Sequence, residues 1–343
     1  MRIELPISKS IANRLLILQA IHGDELMPVS ASMPDDVRIM SEAIRLLGER
    51  REARIDLGNC GTSMRFLTAY CAQLEGQTII LDGVERMHHR PIGQLVNALR
   101  EIGADIQYLG EEGFPPLRIK GCILDKRRIV TINNPQSTQF VSALLLIGAN
   151  VQTNSTSPYI TLTRTLIEQY ALTSSPYRLS PIALERDWSS AAFWYEYVAL
   201  YGGEITLLGL SRDSLQGDKI VADIFAHLGI HTIYTVEGVV ISSSPLHPTP
   251  YTLHHDFSAC PDLYPAVALT CERLGVELHA TGVESLPLKE SDRLRAVAEH
   301  RTDADHRMAM ALLIAGYEVD DTACISKSYP NFIEHFRHIN SSK

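Results

Sequence analysis

The sequence has no paired-cysteine motif. Its six cysteines, Cys60, Cys71, Cys122, Cys260, Cys271 and Cys324, are scattered without a Cys-x-x-Cys spacing. That argues against a zinc site or a disulfide framework and fits a reducing compartment. Long apolar runs are also missing: the longest, VSALLLIGANV at 141–151, is too short to cross a bilayer. The opening stretch MRIELPISKS lacks the apolar segment of a secretory signal, so a cytoplasmic location with no membrane partner is expected. Nor is basic charge in excess. Lys and Arg number 31 against 40 Asp and Glu, a net charge of −9, and no nucleic-acid partner is expected because that needs a basic face. An anionic ligand would have to be held by a local cationic pocket.

What is present describes a soluble globular chain. Apolar residues make up 45% and charged residues 21% of 343, too many residues for one ordinary core, so two domains are expected. Internal repetition refines this. Residues 79–106 read as an apolar strand, a Gly turn, a polar stretch and an amphipathic helix with the stripe Ile92, Leu95, Val96, Leu99 and Ile102. Residues 205–232 repeat that order, and weaker copies lie at 26–49, 153–170, 278–300 and 317–339. One strand–helix unit cannot bury its own face, so three copies per domain are predicted in an α/β fold of two domains.

Polar residues gather where these helices begin, and helix N-termini attract phosphates and carboxylates. SKSIANR sets Lys9 and Ser10 at one start, with Arg14 on the face of Ser10. GNCGTSMR places Asn59, Gly61 and Thr62 in a turn and Arg65 in the first helical turn. HHRPIG puts Arg90 before a proline suited to the first helical position. NPQSTQF opens a helix with Ser137, Thr138 and Gln139, DADHRMAM with His306 and Arg307, and ISKSYPNF sets Lys327 before the last helix. Caps explain Ser, Thr and Asp at such places. Arginine near a helix start opposes the dipole and favours an external anion. In LPLKESDRL, Lys289 and Arg293 are four apart and would share a helical face, with Glu290 about 100° round and Asp292 a cap or a partner of Arg293. Asp262, in SACPDLYPAVAL, reads on its own as a helix cap.

Taken together, SKSIANR, GNCGTSMR, RMHHRPIG, STQF, SPY, PDLYP, LKESDRL, ADHRMAM and SKSYP follow the order and spacing of the 5-enolpyruvylshikimate-3-phosphate synthases. The chain resembles that family nearly from end to end. The resemblance implies two domains, 1–8 plus 185–343 and 9–184, each of three βαβαββ units with helices inside and sheets outside. It places the active site in the interdomain cleft. It implies transfer of the enolpyruvyl group of phosphoenolpyruvate to the 5-hydroxyl of shikimate 3-phosphate, with no metal, no organic cofactor, a monomeric state and glyphosate as an inhibitor.

By the same resemblance Ser10, Arg14, Ser137, Thr138, Gln139, Tyr159, Asp262 and Lys289 would bind shikimate 3-phosphate. Lys9, Gly61, Arg90, Gln139, Arg293, Arg307 and Lys327 would bind phosphoenolpyruvate, and Asn59, Thr62, Arg65, Asp187 and His306 would line the cleft. Asp262 is the candidate base for the 5-hydroxyl and Glu290 the candidate donor to the methylene carbon, with Lys9 and Lys327 sharing in proton transfer. Ile7 and Ser285 depart from the family's usual glycine and asparagine, and the joins at 296–310 and 167–187 are abrupt. The sister transferase acting on UDP-N-acetylglucosamine needs a cysteine just before the Arg-Pro pair, and GVERMHHRPIG has none. A non-catalytic anion-binding relative is the rival from another class; retention of Asp262, Glu290 and Lys327 argues against it.

Overall fold

A computed structural model describes residues 1–172, 184–243 and 252–341. The chain divides into two units: Met1–Lys9, Ala31–Asp35 and Leu184–Lys343 form the terminal unit, and Ser10–Ser30 with Asp36–Ala183 the middle unit. Residues 31–35, grouped with 9–184 on sequence grounds, cluster instead with the terminal unit, where Ser326 Oγ donates to the Asp35 carboxylate. No helix among the described residues is long and apolar enough to cross a membrane.

The middle unit opens with helices α1 (Lys9–His22) and α2 (Asp35–Glu49), whose first residues belong to the terminal unit. A complete βαβαββ set follows: β2 (Glu52–Asp56), α3 (Gly61–Ala72), β3 (Thr78–Asp82), α4 (Gly93–Glu101), β4 (Asp105–Tyr108) and β5 (Leu117–Lys120), in sheet order β2-β3-β5-β4. Next come β6 (Ile129–Thr131), α5 (Thr138–Leu146), β7 (Asn150–Gln152) and α6 (Pro158–Leu172), with β6 and β7 a parallel pair. In β3 and β5 burial alternates, so Ile79, Leu81, Leu117 and Ile119 face the helices, as a half-buried sheet requires.

The terminal unit repeats that plan. Strand β1 (Arg2–Glu4) pairs in parallel with β8 (Glu204–Leu208). Helix α7 (Trp188–Tyr201) precedes β8, and α8 (Val221–Ala226), β9 (Ile230–Tyr234) and β10 (Gly238–Ser243) follow, giving the sheet β1-β8-β10-β9. Then β11 (Thr252–Asp256), α9 (Tyr264–Leu274), β12 (Glu277–Thr281) and α10 (Arg293–Ala298) form a second, two-stranded parallel set. Helices α11 (His306–Ala315) and α12 (Phe332–Ser341) end the chain. Helices α7 and α11 are buried on nearly every face, so the helices form the core against which the sheets lie.

Three βαβαββ units per domain were expected. Among the described residues each unit has one complete set, one βαβα set and one pair of helices without a strand. The copy at 26–49 therefore holds only α2, and that at 317–339 a 3-10 turn (Ala323–Lys327) and α12, with no strand in either. Both are poor in the continuous Val and Ile that make a strand, and periodicity cannot separate a short apolar strand from an extended lead-in to a helix. The abrupt join at 296–310 is a tight turn between α10 and α11, and that at 167–187 lies largely outside the described residues.

One core residue of α7 does not fit its surroundings. Glu196 is fully buried, and neither carboxyl oxygen has a hydrogen-bond partner among the described residues. Burial raises its pKa well above the ordinary carboxylate range, so the folded protein holds it protonated. In the unfolded chain the same group ionises near its usual value, ~4.3. Its contribution is thus least unfavourable at low pH, and stability is lost as pH rises through and above that value. Glu196→Met is expected to stabilise the protein by about 1–3 kcal/mol at neutral pH, with the gain shrinking toward pH 4. Thermal unfolding of both proteins across pH 4–8 measures it, and a pH-independent difference would refute the assignment.

Candidate active site

In the terminal unit, carboxylates and cations converge from four chain segments. Asp262 lies in a 3-10 turn, Pro261–Leu263, before α9. It is not the cap read from the local sequence, because its side chain faces cations. Its Oδ1 accepts from Arg293 Nη1 at 2.7 Å and lies 3.5 Å from Lys289 Nζ; its Oδ2 accepts from Arg307 Nη2 at 2.7 Å. Burial alone would raise the Asp262 pKa. Arg307, Lys289 and Arg293 together overcome that and hold it well below the usual range.

Arg293 is the centre of the network. It is 1% exposed and meets three carboxylates: Nε donates to Asp305 at 2.8 Å, Nη1 to Asp262, and Nη2 to Glu290 at 3.1 Å. A guanidinium has donors on three edges of one plane, so a single Arg can fix three acids where a lysine could not. Glu290 Oε1 also accepts from Lys327 Nζ at 2.9 Å.

The local chain path differs from the helix expected for Lys289 to Arg293. A 3-10 turn ends at Leu288, Lys289 is extended, and α10 starts only at Arg293. Asp292 is its cap, accepting from Arg295 N at 3.3 Å. Lys289 and Arg293 still meet, because both reach Asp262. Burial lowers the pKa of Lys289, and Asp262 opposes that shift.

Asp305 caps α11 through its side chain, and Arg307 is the second residue of that helix. His306 is fully buried; desolvation first, then Arg307, Lys9 and Lys327, drive its pKa well below 6.5, so it is neutral. Arg307 Nη1 lies 2.8 Å from His306 Nε2. Arginine can only donate, so Nε2 is the acceptor and the ring proton sits on Nδ1. Asp187 caps α7, accepting from Ser190 N at 2.9 Å and Ser190 Oγ at 2.7 Å. Burial raises its pKa against the pull of Arg307 and Lys9. Asp218, accepting from Ser189 Oγ, is pushed up to about 6, chiefly by burial and then by Asp262.

The middle unit holds a second cluster. Arg14, 3% exposed on α1, donates Nε to Thr163 Oγ1 at 2.7 Å, Nη1 to Ser10 O at 2.8 Å, and Nη2 to Ser142 Oγ and Tyr159 O at 3.3 Å each. Its plane lies over Phe66, 5.3 Å from the ring centroid. None of these partners is a carboxylate, and burial lowers its pKa to about 10. A buried cation surrounded by neutral acceptors is an environment that an arriving anion improves.

At the start of α3, Gly61 allows a close approach: a Cβ there would lie 2.6 Å from both terminal nitrogens of Arg90. Arg90 Nη1 donates to Asn59 O at 3.3 Å and to its Oδ1 at 3.5 Å. Pro91 is not the first helical residue, since α4 starts at Gly93 with Ile92 as its cap. Arg65 is the fifth residue of α3, not in its first turn. Its guanidinium donates to Gly61 O at 3.2 Å and Pro91 O at 3.0 Å. It thereby ties the Gly61 turn to the Arg90 segment. Ser137 caps α5, and Gln139 Nε2 donates to Thr62 Oγ1 at 2.9 Å. Thr138 is the first residue of that helix.

The structure therefore brings Asp262, Lys289, Glu290, Arg293, Arg307 and Lys327 into one network, with His306 joined to it through Arg307. Lys9 and Asp187 are coupled to it electrostatically. Ser10, Arg14 and Tyr159 form one group in the middle unit, and Asn59, Gly61, Arg65 and Arg90 another, beside which Thr62 pairs with Gln139. Sequence reading missed Asp305, Asp218, Ser142 and Thr163. Asp305 carried a signal, an Asp just before a helix, but one shared with every ordinary cap. Among the described residues no group of three or more His, Cys, Asp or Glu is placed to hold a metal ion.

The family pattern described as EPSP synthase (3-phosphoshikimate 1-carboxyvinyltransferase) matches residues 1–300 and 297–336. The chain belongs to the EPSP synthase family. It is 37% identical to 3-phosphoshikimate 1-carboxyvinyltransferase of Bacteroides fragilis strain ATCC 25285, covering 98% of this chain and 94% of that protein. It is 31% identical to the enzyme so named in Cellvibrio japonicus, covering 99% and 96%. The Bacteroides alignment spans 393 positions against 343 residues here, so that EPSP synthase has internal segments this chain lacks. The fold is also that of an EPSP synthase from Acinetobacter baumannii, with a TM-score of 0.69 at 20% identity over 98% of this chain and 95% of that one.

Proposed function

We propose that this EPSP synthase family member transfers the enolpyruvyl group of phosphoenolpyruvate to the 5-hydroxyl of shikimate 3-phosphate and releases phosphate, acting as a cytoplasmic monomer without a cofactor. The observation that carries the reading is the convergence of Lys289, Arg293 and Arg307 on Asp262, with Lys327 on Glu290. Paired cations of this density suit small, multiply charged anions. In this reading Arg293, Arg307 and Lys327, with Lys9, Arg90, Gly61 and Gln139, take phosphoenolpyruvate. Ser10, Arg14, Ser137, Thr138, Gln139, Tyr159 and Lys289 take shikimate 3-phosphate.

The chemistry is addition followed by elimination. The 5-hydroxyl oxygen attacks C2 of phosphoenolpyruvate, its proton passes to Asp262, and C3 gains a proton to become a methyl group. The tetrahedral intermediate then loses a proton from C3 and phosphate from C2, which restores the double bond. Asp262 is a weak base while three cations hold it. Anionic ligands that engage Lys289, Arg293 and Arg307 reduce that hold and raise its basicity when substrate is present. Glu290 accepts from cations at both oxygens, so it is a carboxylate in this state. The proton for C3 therefore comes through the Lys327–Glu290 pair, 2.9 Å apart.

Phosphate release should require both substrates; release from phosphoenolpyruvate alone, or none with both, would defeat the reading. Arg307→Ala should raise KM for phosphoenolpyruvate roughly ten- to a hundredfold, the value of a charged hydrogen bond. An unchanged KM would remove Arg307 from the ligand set.

A further inference from the structure

The connection between α10 and α11 is a short turn, Glu299 to Ala304. His300, Asp303 and Ala304 have φ of 52, 46 and 55°, in the left-handed region where a side chain crowds the backbone. Such a turn persists only when its surroundings hold it, and here they do. His300 Nε2 meets Glu272 Oε1 at 2.9 Å, and its ring stacks on Tyr317 with centroids 4.0 Å apart. The buried Thr302 hydroxyl donates to Asp320, and Arg301 pairs with Asp303.

The turn delivers Asp305. This carboxylate has no exposed surface. Its Oδ1 accepts from Arg307 N at 2.9 Å, and its Oδ2 from Arg293 Nε at 2.8 Å and Ser291 Oγ at 3.2 Å. With Nε tied back, the planar guanidinium of Arg293 has one orientation, and Nη1 and Nη2 are aimed at Asp262 and Glu290. The backbone of Arg307 is set by the same acid. We propose that Asp305, held by the 299–304 turn, is the positioning residue for both arginines that grip phosphoenolpyruvate. This rests on the reading of Arg293 and Arg307 as ligands of that substrate.

The test compares wild type with Asp305→Asn, which keeps the shape but not the charge, and with Thr302→Val, which loosens the turn away from the site. Asp305→Asn should raise KM for phosphoenolpyruvate about ten- to a hundredfold and leave KM for shikimate 3-phosphate within about twofold. Thr302→Val should shift the phosphoenolpyruvate value in the same direction by about threefold. Equal effects on both substrates would mean a merely structural role, and no effect would mean none; either overturns the proposal. Should Asp305→Asn fail to fold, an unchanged phosphoenolpyruvate KM in Thr302→Val overturns it alone. Calorimetric binding of phosphoenolpyruvate and inorganic phosphate separates this result from the proposed reaction. If wild type binds them but never turns over, the reaction fails while the affinity ratio still decides Asp305. If wild type binds neither, both readings fail.

Discussion

Asp262→Ala is expected to slow turnover by about 10²–10⁴-fold, the usual contribution of a positioned general base, without weakening anion binding. The geometry dictates the second half of that expectation. Asp262 neutralises Arg293 and Arg307 at 2.7 Å each and lies 3.5 Å from Lys289. Its removal leaves those cations partnered less well, so phosphoenolpyruvate and phosphate should bind at least as tightly as in wild type. A residue that only held the site together would show the reverse, with affinity falling as turnover falls. Steady-state kinetics beside calorimetric affinity for phosphoenolpyruvate distinguishes them. Wild-type turnover in this variant would sink the assignment of Asp262 as base.

Much of this site could be read in the chain, but unevenly. The residue types were legible because they sit in short contiguous stretches: KESDR brings Lys289, Glu290 and Arg293 together, and HR brings His306 and Arg307. Their partnerships were not, because Arg293 and Asp262 are thirty-one residues apart, and no local pattern encodes that distance. The helical spacing argument for Lys289 and Arg293 fails, since Lys289 is extended and α10 starts only at Arg293; the two side chains lie near each other because both face Asp262. Arg65 shows the opposite error. A first-turn arginine suggests an external anion, yet this one lies a turn further in and holds two backbone carbonyls. Six repeats were visible because helical stripes recur, whereas the absence of strands from two copies was not. An extended apolar segment becomes a strand only when another segment pairs with it.

Arg293→Met should be the most destabilising single change in the terminal unit, lowering stability by about 3–5 kcal/mol, the cost of breaking a buried ion pair from one side. Arg293 is 1% exposed, and three acids lose a donor together. Asp305 suffers most, since it is fully buried and would retain only Ser291 Oγ and Arg307 N. Asp262 and Glu290 keep Arg307 and Lys327 respectively. Arg293→Lys should recover little, because one ammonium cannot reach three acids on separate edges of a plane. Denaturant midpoints for Arg293→Met, Asp305→Asn and the double variant give the coupling directly. The double variant should lose far less than the sum of the single losses, since the orphaned charge at Asp305 is then absent. Strict additivity would show that Arg293 and Asp305 do not share their energy, and the network would have to be redrawn around Asp262 alone.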